Sequence, residues 1–178
     1  MMDNAFTEQD MAFMREAIAC AELATERGEV PVGAVVVADG KIIGRGSNQP
    51  ISTSDPTAHA EVVAIRQAAK KLANYRLNGS TLYTTIEPCS MCAGSLIHAR
   101  IERLVFGAHD EKAGAAASVF HLLDSNERQH RVVWQGGLLE EECAALVSEF
   151  FKKRRAEKGN DREAGTNQRR PPKSAKDS

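Results

Sequence analysis

No run in this 178-residue chain approaches the ~20 consecutive apolar side chains of a membrane span. The opening Met-Met-Asp-Asn-Ala-Phe-Thr-Glu lacks a basic region followed by an apolar one, so no secretory signal is expected. Cysteine is scarce. Four Cys without a secretory context argue against a disulfide framework and direct the thiols to metal binding or packing in a reducing compartment. The expected location is cytoplasmic. The chain has no internal repeat, and net charge is nearly absent at −1, with 23 Lys/Arg against 24 Asp/Glu. That balance hides a division. Residues 152–178 hold ten Lys/Arg against four Asp/Glu, an excess of +6, which leaves 13 basic and 20 acidic residues, or −7, before them. A basic end of this kind suits a polyanion or a solvated tail.

What is present is ordinary globular material, 42% apolar and 26% charged, enough for one domain with a full core. Thr7-Glu-Gln-Asp10 resembles a helix capping box. It predicts a helix to about Arg27, stopped by Gly28, with Met11, Met14, Ile18 and Ala21 on one face. Gly33 to Ala38, Asp39-Gly40 and Lys41 to Gly46 read as a hairpin on a type I′ turn, its first strand buried on both faces. A polar loop, 47–56, leads to a helix starting at Pro56 to Ala58. Asp55 or Thr57 would cap that helix, and Val62, Ile65, Ala69 and Leu72 would face the core. Further strands are expected at Thr81 to Ile86, Arg103 to Gly107 and Arg131 to Trp134. A helix should follow Pro88 as far as Ala99, and a loop with a short helix should occupy 108–118. Gly136-Gly137 reads as a turn before a final helix from Glu140 through Leu146, Phe150 and Phe151 to Lys152-Lys-Arg-Arg155. Cys20 and Cys143 are read as packing residues. Alternating strands and helices place the chain in the α/β class, and the hairpin makes its five-stranded sheet mixed. Residues 1–156 form the expected domain. Residues 157–178, polar and without periodicity, form an expected disordered basic tail.

The chemistry concentrates in Glu87-Pro-Cys-Ser-Met-Cys92 and Thr57-Ala-His-Ala-Glu61. On a helix, Cys89 and Cys92 share a face with β-carbons ~5–6 Å apart, which is compatible with two thiolates on one zinc ion. His59 is the natural third ligand. Three protein ligands leave a fourth position for water, the mark of a catalytic rather than a structural zinc. Glu61 then offers a general base. His59 and Glu61 are two residues apart, so both approach one atom only near a helix end. Other readings of the same residues are a redox Cys pair, which has no use for the His-x-Glu, and a structural zinc. The latter needs a fourth ligand, and His98, six residues after Cys92, points elsewhere.

His-x-Glu followed by Pro-Cys-x-x-Cys is the signature of zinc nucleoside and nucleobase deaminases. The chain from about Phe6 to Arg155 resembles more closely the bacterial tRNA-specific adenosine deaminases. The resemblance rests on Glu29-Val-Pro-Val-Gly-Ala-Val-Val36, Asn48-Gln-Pro50, Asp55-Pro-Thr-Ala-His-Ala-Glu61, Asn74-Tyr-Arg-Leu77, Thr81 to Gly107 and Glu142-Cys-Ala-Ala145. It implies a three-layer α/β/α sandwich like that of cytidine deaminase, a homodimer, and hydrolysis of adenosine to inosine at the wobble position of a tRNA anticodon. It carries one Zn²⁺ per subunit onto His59, Cys89 and Cys92, and the proton shuttle onto Glu61. Asn48 is implied as a contact to the flipped-out base, Asp110 as a ribose contact, and Phe151 and Arg154 as contacts to the anticodon stem-loop. His98, His109, His121 and His130 receive no role.

Two positions depart from the family's usual Lys-Thr-Gly-Ala-Ala-Gly-Ser. Lys112-Ala-Gly-Ala-Ala-Ala-Ser118 lacks a hydroxyl at Ala113 and a glycine at Ala117. The readings left beside this one are a zinc deaminase of free cytidine, deoxycytidylate or guanine, and a zinc-bearing RNA-binding module without turnover.

Overall fold

The computed structural model describes residues 5–124 and 130–167, the last nine by backbone alone. Its first helix, α1 (Glu8–Glu26), opens on the expected capping box. The Asp10 N–H donates to Thr7 Oγ1 at 3.0 Å and the Thr7 N–H to Asp10 Oδ2 at 2.9 Å, satisfying backbone donors that the helix leaves free. Gly28, at φ +73°, lets the chain leave the helix. Strands β1 (Gly33–Ala38) and β2 (Lys41–Ser47) form the hairpin. Asp39 and Gly40 have φ +48° and +69°, the paired left-handed conformations that a type I′ turn requires.

A short helix, α2 (Pro50–Thr53), interrupts the stretch expected to be loop. Then follow α3 (Ala60–Leu72), β3 (Thr81–Ile86), α4 (Ser90–Ala99), β4 (Arg103–Ala108), β5 (Val133–Gly136) and α5 (Glu140–Asn167). The five strands make one mixed sheet in the order β2-β1-β3-β4-β5. Strand β1 is antiparallel to both neighbours, whereas β3, β4 and β5 run parallel. One face carries α3 and α4 over Ala34, Val36, Leu82, Leu104 and Phe106, and the other carries α1 and α5 over Val35, Val37, Tyr83 and Val105. The alternation within Ala34 to Val37 explains the unbroken apolar run, because both faces of β1 are covered. This is the α/β/α sandwich that was expected.

Several local expectations are corrected. On α3, Val62 and Ile65 are buried and Ala69 packs against the core as expected, but Leu72 is 46% exposed and Ala60, Ala64 and Ala68 complete the face. The cause lies in β2. A Cβ on Gly44 would sit 2.2 Å from the Ala64 carbonyl oxygen, and one on Gly46 2.0 Å from that of Ala60. The helix backbone therefore rests directly on the two glycines, and only alanines fit between. On α1, Met11 is exposed, and the buried face is Met14, Ala17, Ile18, Ala21 and Ala24. The last strand lies two residues later than expected, in register with β4 from Arg103↔Val133 to Phe106↔Gly136. Gly136 is a strand residue there, paired with Phe106, and must be glycine because a Cβ would meet the Phe106 ring at 2.3 Å; Gly137, at φ +96°, makes the turn alone. Residues 108–118 form turns without the short helix. Finally, α5 is helical to Asn167, ten residues past the expected onset of disorder at 157, and residues 168–178 lie outside the described residues.

Candidate active site

Two helix N-termini converge on one point. His59 is the N-cap of α3 with an extended backbone (φ −70°, ψ 151°), and Cys89 is the N-cap of α4 (φ −71°, ψ 173°). Neither Asp55 nor Thr57 caps α3 as expected. Asp55 Oδ1 instead accepts from the Thr57 N–H at 2.8 Å and from its hydroxyl at 2.7 Å, a turn that feeds the chain into His59. Because His59 stands outside the helical dihedrals, the rule that i and i+2 face apart does not separate it from Glu61, which lies in the first turn.

Nδ1 of His59 lies 3.7 Å from Cys89 Sγ and 3.6 Å from Cys92 Sγ, and the three ligand atoms all lie within 4.8 Å of one another. A tetrahedral zinc with Zn–S near ~2.3 Å and Zn–N near ~2.0–2.1 Å places N and S about 3.6 Å apart. The triad matches that spacing, so these residues are positioned to hold a metal ion. Its electrostatics agree. The Cys92 hydrogen bond, followed by that of His59, lowers the Cys89 thiol to about 4, against the opposing effect of burial. The Cys89 neighbour and burial push the Cys92 thiol the other way. The pair thus favours one thiolate and resists a second unless a cation is present. His59 is raised, chiefly by its Cys89 contact. Glu61 is 3% exposed, and burial lifts its carboxyl above the usual range. A cation on the triad would oppose that shift and keep the group able to exchange a proton.

Glu61 and His59 open into a cavity of about 770 Å³, within the range of small-molecule sites. Asn48, Asp110 and Phe151 line the same cavity, together with His109 and Lys112. Arg154 does not. It lies one turn beyond, its guanidinium 5.6 Å above the Phe150 ring, while Phe150 packs edge-on against Phe151. Both departures in the 112–118 loop are accommodated. Ala117 does not require a positive φ, and Ala113 turns its N–H to Asp110 Oδ1 at 3.2 Å.

Two buried carboxylates went unread in the sequence. Glu29, 1% exposed, accepts from the Ser52 N–H at 2.7 Å and anchors α2 beyond Asn48. Glu87, also 1% exposed, accepts from the backbone of Asp110, Ala116, Ala117 and Ser118 and from the Ser118 hydroxyl. Burial alone would raise the Glu87 carboxyl, but the Ser118 hydroxyl and these N–H groups hold it below its usual range. The available signal was an acid directly following the buried strand Thr81 to Ile86, because a carboxylate there must find partners.

A model of the MafB19-like deaminases matches residues 8–155. The tRNA-specific adenosine deaminase of Haemophilus influenzae is 53% identical over 153 residues, 85% of this chain and 88% of the relative. That of Bacillus subtilis is 45% identical over 150 residues, 84% and 93% of the two chains. The chain belongs to the tRNA-specific adenosine deaminase family. A structure solved in a study of A-to-I editing by tRNA:A34 deaminases overlays this deaminase with a TM-score of 0.74 at 43% identity, over 76% of this chain and 99% of that one. The guanine deaminase of Bacillus subtilis overlays it less well, with a TM-score of 0.56 at 34% identity over 84% and 95% of the two chains.

Proposed function

We propose that the chain catalyses the zinc-dependent hydrolytic deamination of adenosine to inosine at the wobble position of tRNA anticodons. The observation that carries this reading is the buried Glu61 beside the His59, Cys89 and Cys92 triad, facing one cavity with Asn48, Asp110 and Phe151. His59, Cys89 and Cys92 would hold a Zn²⁺ ion, which when bound would supply a Lewis acid for making water a nucleophile near neutral pH. Glu61 takes a proton from the attacking water as its oxygen bonds to purine C6, and delivers that proton to N1. It then takes the second water proton from the new C6 hydroxyl and passes it to the amino group as the C6–N6 bond breaks and the carbonyl forms. Adenosine and water become inosine and ammonia, and the carboxylate returns to its starting state.

Asn48 contacts the extruded base and Asp110 the ribose. An unpaired anticodon base costs less to flip than one in a duplex. Phe151, 41% exposed, offers a stacking face at the cavity mouth. Lys152, Lys153, Arg154 and Arg155 follow on the exposed end of α5 and meet the stem phosphates. Residues 1–156 are assigned to the catalytic domain, and the segment 152–178, with its excess of +6, attracts RNA phosphates without reading sequence. Two copies of the chain are assigned to a homodimer acting in the cytoplasm. The described residues contain no helix long and apolar enough to cross a membrane.

The test is mass spectrometry of nucleosides from an anticodon stem-loop treated with zinc-loaded protein, beside free adenosine, cytidine and guanine. Inosine in the stem-loop alone supports the reading. Deamination of a free base or nucleoside instead points to the small-molecule deaminases, and RNA binding without ammonia release points to a non-catalytic module.

A further inference from the structure

The carboxylate of Glu87 stands between the metal-binding segment and the loop that forms one wall of the cavity. It is two residues before Cys89, and its Oε1 accepts from the N–H groups of Ala116 at 3.1 Å, Ala117 at 2.7 Å and Ser118 at 2.9 Å. Its Oε2 accepts from the Asp110 N–H at 3.1 Å and from the Ser118 hydroxyl. The Glu87 N–H is itself given to the Ala108 carbonyl at 2.8 Å. One side chain thus holds both ends of residues 110–118.

The rest of the loop is built around that carboxylate. Gly114 pairs with Cys89 in an isolated antiparallel bridge, and a Cβ there would strike the Glu87 carboxylate at 2.4 Å. The Ala115 N–H donates to the Pro88 carbonyl at 2.8 Å, and the Gly114 N–H to the Asp110 carbonyl at 2.9 Å. Asp110 Oδ1 accepts from the Lys112 N–H at 2.9 Å and so shapes the turn that carries Lys112 and Ala113 along the cavity wall.

The geometry points to Glu87 as the positioning residue that sets where Asp110, Lys112 and Ala113 stand relative to the metal triad, and hence how tightly the flipped nucleoside and its neighbouring phosphates are held. This rests on the nucleoside-deaminase reading of the site. Glu87 does not touch the reacting atoms. The Cys89–Gly114 bridge and the Ala115 bond to Pro88 fix the middle of the loop, whereas Glu87 binds both its ends, 110 and 116–118, and so sets the distance of the wall from the chemistry.

Glu87→Gln separates the contacts. With its oxygen kept toward the three N–H groups of 116–118, the amide nitrogen takes the place of Oε2. There it can donate to the Ser118 hydroxyl but opposes the Asp110 N–H, so the variant releases Asp110 selectively. Losing a hydrogen bond to a charged acceptor predicts a rise in KM for the anticodon stem-loop of about tenfold, with kcat within about threefold of the parent. Metal content is unchanged, and amide exchange quickens at Asp110 and through 112–118 but not in α4. If the substitution prevents folding, Ser118→Ala, which removes one donor, is expected to raise KM about threefold in the same pattern. Unchanged KM with unchanged exchange overturns the assignment. So does a fall in kcat at constant KM, which would put Glu87 in the chemistry, or a loss of metal, which would make it a support of the triad. Should the parent protein form no inosine, the deaminase reading fails, while amide exchange in the variant still decides whether Glu87 anchors the loop.

Discussion

Arg103, at the start of β4, clasps Asp10, in the first turn of α1, through two N–H groups: Nη1 lies 2.6 Å from Oδ1 and Nη2 3.2 Å from Oδ2. The Tyr83 hydroxyl adds a bond to the same Oδ1 at 2.7 Å, and Arg103 Nε reaches Gln135 on β5 at 3.1 Å. The cap of one helix is thereby tied to three strands. Burial would raise the Asp10 carboxyl, but bonds from Arg103, Thr7 and Tyr83 outweigh it and hold the group well below the usual carboxylate range.

Arg103→Met should therefore destabilise the protein at pH 7 by about 2–4 kcal/mol, because Asp10 is left buried without its cation. The folded pKa of Asp10 lies below its unfolded value of about 4. Its contribution is complete above that pH and is lost as pH falls toward the folded value. The gap between parent and variant in urea unfolding should accordingly narrow from pH 7 to pH 3. A gap independent of pH would assign the effect to packing of the arginine stem.

Glu61→Ala should lower the rate of inosine formation by at least about 10²-fold while metal content, measured by atomic emission, stays at the parent level. Appreciable turnover in this variant removes Glu61 from the proton path. Chelation of the parent should abolish turnover, and added zinc should restore it.

Gly46→Ala tests how the fold places the site. The new Cβ would lie 2.0 Å from the Ala60 carbonyl oxygen and 2.6 Å from the Ala64 nitrogen, so α3 must move away from the sheet. His59 and Glu61 begin that helix. A loss of about 1–3 kcal/mol of stability together with weaker zinc retention is expected. Lower stability with undiminished zinc affinity would show that the helix start is positioned independently of β2.

Thr84 is fully buried in β3, and its hydroxyl has no hydrogen-bond partner among the described residues. Thr84→Val keeps the branched shape and removes the polar atom, so it should stabilise the protein by about 1 kcal/mol. A thermal scan showing a fall in Tm would mean that the hydroxyl has a partner in solution, such as a buried water.

Much of this molecule is legible in local patterns. The Thr7–Asp10 box, the Asp39-Gly40 turn and the two-faced β1 run each follow from dihedral preference or periodicity within a few residues. The metal triad was equally accessible, because His59, Cys89 and Cys92 announce their chemistry by type and spacing. The misplaced features share another origin. The face of α3 was set by glycines on β2, fourteen or more residues away, and the start of β5 by its register against β4. The α3 cap went to His59 because Asp55 was spent on its own turn with Thr57.

By itself, then, the sequence singled out the His59, Cys89 and Cys92 group that could hold a metal, the nearby Glu61 carboxylate and the class of fold, since those depend on residue chemistry and on short-range repetition. The tertiary structure alone decided that Asn48, Asp110 and Phe151 share a cavity with Glu61 while Arg154 stands outside it. It alone revealed Glu87 as the carboxylate around which the 110–118 loop is folded. Its donors lie 23 to 31 residues along the chain, and no local pattern specifies a partnership formed only when two strand ends meet across a parallel sheet.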